Sequence, residues 1–178
     1  MKPKVISSKK LFKGAIFDLY RLTIKLANGV VANRDIIKKS DSITMLVVNE
    51  DNKVLIEYEY RSPLYKTVAG FPAGLINKDE DPYVTARREL QEETGLLVDP
   101  KAFKRVGIYT LSEGFTDERS HVFIVRLTGS NYKKVNTSFD DDEYIGDWKW
   151  VTLNSAENQV HSAAANLAIK EFRNISNK

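Results

Sequence analysis

The sequence predicts an α/β fold in which short strands dominate and two helices accompany them. Three observations lead there. Apolar and polar residues alternate with period two between Tyr20 and Leu26 and again between Val54 and Arg61. A charged segment from Pro82 to Thr94 is bracketed by proline at its start and Gly95 at its end. Val160, Ala164, Leu167, Ala168, Phe172 and Ile175 fall on one stripe of a C-terminal amphipathic helix. With 178 residues and 42% hydrophobic content, the chain suits one good-sized core. We divide it into a strand-rich N-terminal extension, 1–41, and a main domain, 42–178.

The elements follow in order. Tyr20, Leu22, Ile24 and Leu26 alternate with Arg21, Thr23 and Lys25, and Asn28-Gly29 offers a type I′ turn before Val30 and Val31. Ile43 to Val48, a polar turn at 49–53 and Val54 to Tyr60 form a second hairpin. In its returning strand Val54, Ile56, Tyr58 and Tyr60 share one face, while Leu55, Glu57, Glu59 and Arg61 share a wetter one. The run GFPAGLI, 70–76, reads as a loop, too broken for a helix and able to bring main-chain carbonyls close to a ligand. Val106 to Leu111, His121 to Leu127 and Trp148 to Val151 read as strands by their β-branched and aromatic content. The polar stretch 128–147 is expected as an active-site loop or a linker. His121 falls in a strand and His161 in the last helix, both with structural roles.

The charged helix has recognisable ends. Asp81 is placed to cap it, Pro82 loses nothing at the first helical position, and Gly95 suits a left-handed residue after Thr94. Its apolar stripe is thin, Tyr83, Ala86 and Leu90. Glu89 and Glu93 stand one turn apart with Glu92 beside them, and like charges at that spacing repel unless a cation lies among them. A hard divalent ion with oxygen ligands suits such a group.

Composition narrows the alternatives. The absence of cysteine excludes disulfides, thiolate metal sites and a cysteine nucleophile, leaving oxygen groups and two histidines as metal ligands. No apolar run approaches the roughly 20 residues needed to span a bilayer, so a soluble, cytoplasmic protein is expected. Net charge is +3, but residues 1–40 hold ten Lys/Arg against two Asp/Glu and the remainder seventeen against twenty-two. The basic front reads as a solvated edge, because no aromatic-interleaved patch points to nucleic acid.

From Gly74 to Leu96 the chain fits the pattern G-x5-E-x7-R-E-U-x-E-E-x-G-U, with U aliphatic, at Gly74, Glu80, Arg88, Glu89, Leu90, Glu92, Glu93, Gly95 and Leu96. In this it resembles the Nudix hydrolases, over roughly Ser42 to Ile175. The resemblance implies an α/β/α sandwich around a mixed sheet and hydrolysis of a nucleoside diphosphate linked to another group, with Mg²⁺ or Mn²⁺. It makes Glu89 and Glu93 metal ligands, Glu92 a further ligand or water organiser, and the Ala73 carbonyl an additional ligand. Arg88 and Glu80 hold those carboxylates in place.

Within that superfamily the chain is similar to the ADP-ribose pyrophosphatase branch, through its basic strand-rich extension, its Pro72-Ala73-Gly74 lead-in and its YEYRSP run, 58–63. That branch implies Arg61 against substrate phosphate, Arg34 near the base, Glu118 as a recurrent acidic position, and Glu143 as general base with Asp142 as its rival. It also implies a homodimer and conversion of ADP-ribose to AMP and ribose 5-phosphate. The chain departs from the branch at Gly70, where glutamate is usual, and at Glu113, where proline is usual. Another nucleotide sugar such as GDP-mannose, or a non-catalytic nucleotide-sensing domain, is the alternative reading.

Overall fold

The computed structural model describes residues 2–137 and 145–176, so Asp142 and Glu143 lie outside the described residues. The chain divides into two compact units, Met1–Asp41 with Thr110–Arg119, and Ser42–Tyr109 with Ser120–Lys178.

The first unit is built on an antiparallel sheet of β1 (Lys4–Lys13), β2 (Asp18–Lys25) and β3 (Val31–Lys38), in that order. The β2–β3 hairpin matches its alternation, but not the expected type I′ turn. Leu26 N–H donates to the Val30 carbonyl and Gly29 N–H to the Leu26 carbonyl, which makes a three-residue connection ending on Gly29. Strand β1 was not anticipated, because its lysines and serines break the alternation. It is exposed along its whole length and joins β2 with register shifts between Val5 and Ser7 and between Lys10 and Phe12.

In the second unit, β4 (Ser42–Val48), β5 (Val54–Arg61), β6 (Lys66–Gly70), β7 (Ala73–Leu75), β9 (Phe103–Thr110), β10 (Arg119–Arg126) and β12 (Ile145–Val151) form a seven-stranded sheet. Its main order is β12-β5-β4-β10-β9, and it is mixed, β10 running parallel to β4 and β5 antiparallel. The short strands β8 (Leu96–Val98) and β11 (Tyr132–Lys134) pair separately. Helices α1 (Pro82–Thr94), α2 (Leu153–Glu157) and α3 (Ala163–Ser176) complete it.

Both faces of the sheet are covered, which is why β4 is apolar at consecutive positions from Met45 to Val48 rather than alternating. Ile43, Met45 and Val47 point to the core shared with Ala86 and Leu90 of α1. Leu46 and Val48 point to the opposite core, with Ala165, Ala168, Ile169 and Phe172 of α3. The wetter face expected on β5 is therefore not found over its first half: Leu55 is buried in the core with Ala86 and Leu90, and Glu57 is buried too.

Two further expectations change. Residues 70–76 are not a loop but contribute the end of β6 and all of β7. Pro72 sits between the two, where its missing N–H costs no ladder bond, and its carbonyl accepts from Met45 N–H at 2.8 Å. Strands β4 and β5 register only at Val48 and Val54, and β7 takes the place beside β4 farther from the hairpin turn. The last helix begins later than its stripe suggested, because the Ser162 hydroxyl accepts from Ala165 N–H and starts it there. His161 thus precedes α3, and Val160 instead bridges to Ala69.

Helix α1 runs as expected. The Asp81 carboxylate accepts from Tyr83 N–H at 2.8 Å, and Gly95 ends the helix at φ 70° with its N–H on the Gln91 carbonyl. A side chain at Gly95 would also press on the Val135 carbonyl. Gly95→Ala should therefore destabilise the protein by about 1–2 kcal/mol or more, from left-handed strain plus that contact. Urea denaturation measures it, and an unchanged midpoint would count against the capping role.

Candidate active site: carboxylates gathered by one arginine

Four carboxylates of the second unit meet around the α1 helix, and one guanidinium touches three of them. Arg88 Nε and Nη2 donate to the two Glu80 oxygens at 3.1 and 3.2 Å, a bidentate grip. Nη1 donates to Glu92 Oε2 at 2.8 Å, one helical turn on, and Nη2 lies 2.8 Å from Glu89 Oε1. The last contact joins adjacent residues, which helical spacing alone does not pair. The fork of an arginine makes it feasible, since five donors in one plane reach in several directions.

Glu80 is held by the turn that precedes the helix. Its N–H donates to the Asn77 carbonyl at 3.0 Å, and its carboxylate accepts from Asn77 N–H at 3.2 Å. The Arg88 hydrogen bonds, helped by that backbone N–H, keep its pKa below the ordinary glutamate value against the opposing effect of burial. The same contact with Glu80 raises the pKa of Arg88, so the guanidinium is a permanent charge.

The glutamates one turn apart, Glu89 and Glu93, are 8% and 5% exposed and face the sheet. Space for Glu89 comes from Gly74 in β7: any side chain there would overlap the Glu89 carboxyl group. Strand β7 holds that position because it is hydrogen-bonded to β4, Gly74 opposite Ile43 and Ala73 opposite Thr44. Ala73 is thereby fixed next to the glycine on which Glu89 rests.

These donors suit a hard divalent cation. Glu89, Glu92, Glu93 and a main-chain carbonyl at Ala73 are all oxygen ligands, and buried carboxylates favour a cation close by. Among the described residues no group of three or more His, Asp or Glu side chains stands as a ready metal-holding set. Mg²⁺ does not require one, since it takes one or two carboxylates and completes its shell with water and substrate phosphate.

The remaining candidates lie elsewhere. Arg61 ends β5, half-exposed, with Nη2 2.6 Å from Glu59 Oε2. Arg34 and Glu118 belong to the first unit. There Arg34 donates to the Asn33 carbonyl at 2.9 Å, and Asp35, its sequence neighbour, pairs with Arg21 instead. Glu118 pairs with Lys39 at 3.2 Å. His121 is buried in β10, its Nδ1 3.4 Å from Arg105 Nη1. Two features escaped the sequence: the Arg88–Glu89 contact between adjacent residues, and the burial of Glu57, 2% exposed where a wetter face was expected. The advance signal for Glu57 was its place directly after an apolar run, Val54 to Ile56.

A family model for the NUDIX domain matches residues 38–171. The ADP-ribose pyrophosphatase of Bacillus subtilis (strain 168) is 33% identical over 162 residues, covering 91% of this chain and 85% of the relative. The methanol dehydrogenase activator of Bacillus methanolicus is 30% identical over 172 residues, covering 94% and 90%. Among solved structures, the crystal structure of an ADP compounds hydrolase aligns with a TM-score of 0.82 at 16% identity over 98% of this chain and 94% of that one, a likeness of fold.

The Arg88 contacts set a pH dependence. A carboxylate whose folded pKa lies below its ordinary 4.5 stabilises the protein above that value, and the contribution is lost as pH falls through the depressed pKa. Arg88→Met should cost about 1–3 kcal/mol near neutral pH, discounted for the partial exposure of Arg88. That cost should shrink below pH 4.5 as Glu80 protonates. Denaturation of both proteins at about pH 7 and about pH 3 measures it, and a pH-independent difference would contradict the ionic reading.

Proposed function

Given that the chain belongs to the NUDIX domain family and is a pyrophosphatase of that family, we propose that it cleaves a nucleoside diphosphate sugar with the help of Mg²⁺. ADP-ribose is the first candidate, yielding AMP and ribose 5-phosphate. The observation that carries this reading is the Arg88 grip on Glu80, Glu89 and Glu92, with every position of the signature filled. Similarity to the Bacillus subtilis ADP-ribose pyrophosphatase along nearly the whole chain supports the substrate class. The cysteine-free composition suits a cytoplasmic protein, and no helix among the described residues is long and apolar enough to cross a membrane.

Glu89, Glu93 and the Ala73 carbonyl would hold the cation, which when bound neutralises the pyrophosphate and makes its phosphorus open to attack by water. Arg88 fixes the direction of the carboxylates, and Glu80 anchors Arg88 to the turn before the helix. Glu92 orients water, and Glu143 takes its proton as the bond from water oxygen to phosphorus forms and the phosphoanhydride bond breaks. Arg61 turns from Glu59 to substrate phosphate, while Arg34 and Glu118 serve recognition of the nucleotide and sugar. A second reading is favoured by the identity to the methanol dehydrogenase activator: the chain would bind a nucleotide and act on an enzyme partner.

A panel of nucleotide sugars assayed with Mg²⁺ should give a kcat/KM for ADP-ribose at least about tenfold above that for GDP-mannose, a difference of about 1.4 kcal/mol in transition-state binding. Preference for GDP-mannose would overturn the ADP-ribose assignment, and absence of turnover across the panel would favour the sensing reading.

Glu143→Gln should lower kcat by about 100- to 10,000-fold with KM little changed, because a base acts only in the transition state. Near-normal turnover, with collapse in Asp142→Asn or Glu92→Gln, would move the base to that residue.

The β1–β3 sheet exposes Val5, Ile6, Leu11, Phe12, Val30 and Val31, more apolar surface than a small sheet keeps without a partner. A homodimer formed through this unit is therefore proposed. Sedimentation should give twice the mass of the chain at micromolar concentration, and a monomer would refute it.

A further inference from the structure

Residues 110–119 belong to the first unit and meet the end of β3 there. Ile37 N–H donates to the Phe115 carbonyl at 2.7 Å, and Asp117 N–H returns to the Ile37 carbonyl at 3.4 Å. Farther along, Lys39 N–H donates to Asp117 Oδ1 at 3.2 Å. Asp41 then accepts from Arg119 N–H at 3.0 Å and from its guanidinium Nε and Nη2 at 3.0 and 2.7 Å. The chain is thus anchored immediately before Glu118 and immediately after it.

Glu118 stands between these anchors, with its own N–H on Thr116 Oγ1 at 3.2 Å. What the backbone leaves open is the direction of a long, rotamer-rich side chain. Lys39 settles it. Its Nζ donates to Glu118 Oε1 at 3.3 Å and to Oε2 at 3.2 Å, bridging the two oxygens. Lys38, Ser40, Asp117 and Arg119, the chain neighbours of this pair, are exposed, whereas the Lys39 and Glu118 side chains keep only 25% and 16% of their surface. A charge pair drawn in from water is screened less than an exposed one.

An ionised carboxylate only accepts hydrogen bonds, and it offers about four lone-pair sites. One ammonium bridging both oxygens leaves sites for hydroxyl donors while fixing the plane in which they are presented. Order established before a ligand arrives lowers the entropic cost of binding it. Holding the segment does not depend on this contact, because the anchors at Ile37, the Lys39 main chain and Asp41 remain without it.

We infer that Lys39 is a positioning residue that acts through Glu118, aiming its carboxylate at hydroxyl groups of the substrate. The inference rests on the proposed role of Glu118 in substrate recognition. ADP-ribose affinity, measured by calorimetry with divalent ions chelated so that no bond is cleaved, tests it beside KM and kcat with Mg²⁺. Lys39→Met should weaken affinity and raise KM by about fivefold or more, with a smaller change in kcat and an unchanged thermal midpoint. Lys39→Arg, whose fork also spans two oxygens, should recover at least half of that loss on a logarithmic scale. In a Glu118→Gln background Lys39→Met should have no further effect, and additive losses would overturn the inference. If Lys39→Met fails to fold, Lys39→Gln carries the same comparison. Weaker binding in Glu118→Gln with wild-type affinity in Lys39→Met overturns the role of Lys39 alone. Wild-type affinity in Glu118→Gln with turnover intact overturns the roles of both residues and leaves hydrolysis standing. Absence of both binding and turnover in the wild-type protein overturns the proposed function and the inference with it.

Discussion

One guanidinium gathers the carboxylates of the candidate site. Arg88 contacts Glu80, Glu89 and Glu92 at once, and without it three carboxylates on and beside one short helix would repel. A charge buried against carboxylates is stable only when each partner is hydrogen-bonded, and the arginine fork meets that requirement in a way that a point charge does not. The turn at Asn77–Glu80 matters for the same reason, since it fixes the oxygen pair on which the fork rests.

The surrounding fold serves this grip by holding α1 and β7 in register. Ala86 and Leu90 bury one side of the helix in the core beneath it, and β7 is tied to β4 by three register pairs. Gly74 stands where Glu89 would otherwise collide with a side chain. Placing the carboxylates on a rigid helix and their clearance on a hydrogen-bonded strand limits how far either can drift, which is what a site acting by preorganised charge needs.

Much of this was legible in the sequence, for reasons that differ by element. The bounds of α1 came from Asp81, Pro82 and Gly95, each a local signal with its own mechanism, and the structure places all three as expected. The β2–β3 and β4–β5 hairpins came from alternation, though Gly29 ends a three-residue connection rather than a type I′ turn. Strand β1 was missed because its Lys- and Ser-rich alternation is broken, and β7 because glycine and proline hide a three-residue strand that exists only by pairing with β4. At the site, the signature named the residues but not their contacts. The Arg88–Glu89 pair depends on side-chain direction, and the burial of Glu57 on a sheet covered from both sides, neither of which spacing encodes.

On this reading Arg88 acts as a fork and not merely as a positive charge. Mn²⁺ titration of Arg88→Lys, followed by electron paramagnetic resonance, distinguishes the two, because lysine keeps the charge but cannot hold Glu80, Glu89 and Glu92 together. Mn²⁺ affinity should fall by about tenfold or more in a protein that remains folded. Wild-type affinity in that variant would contradict it.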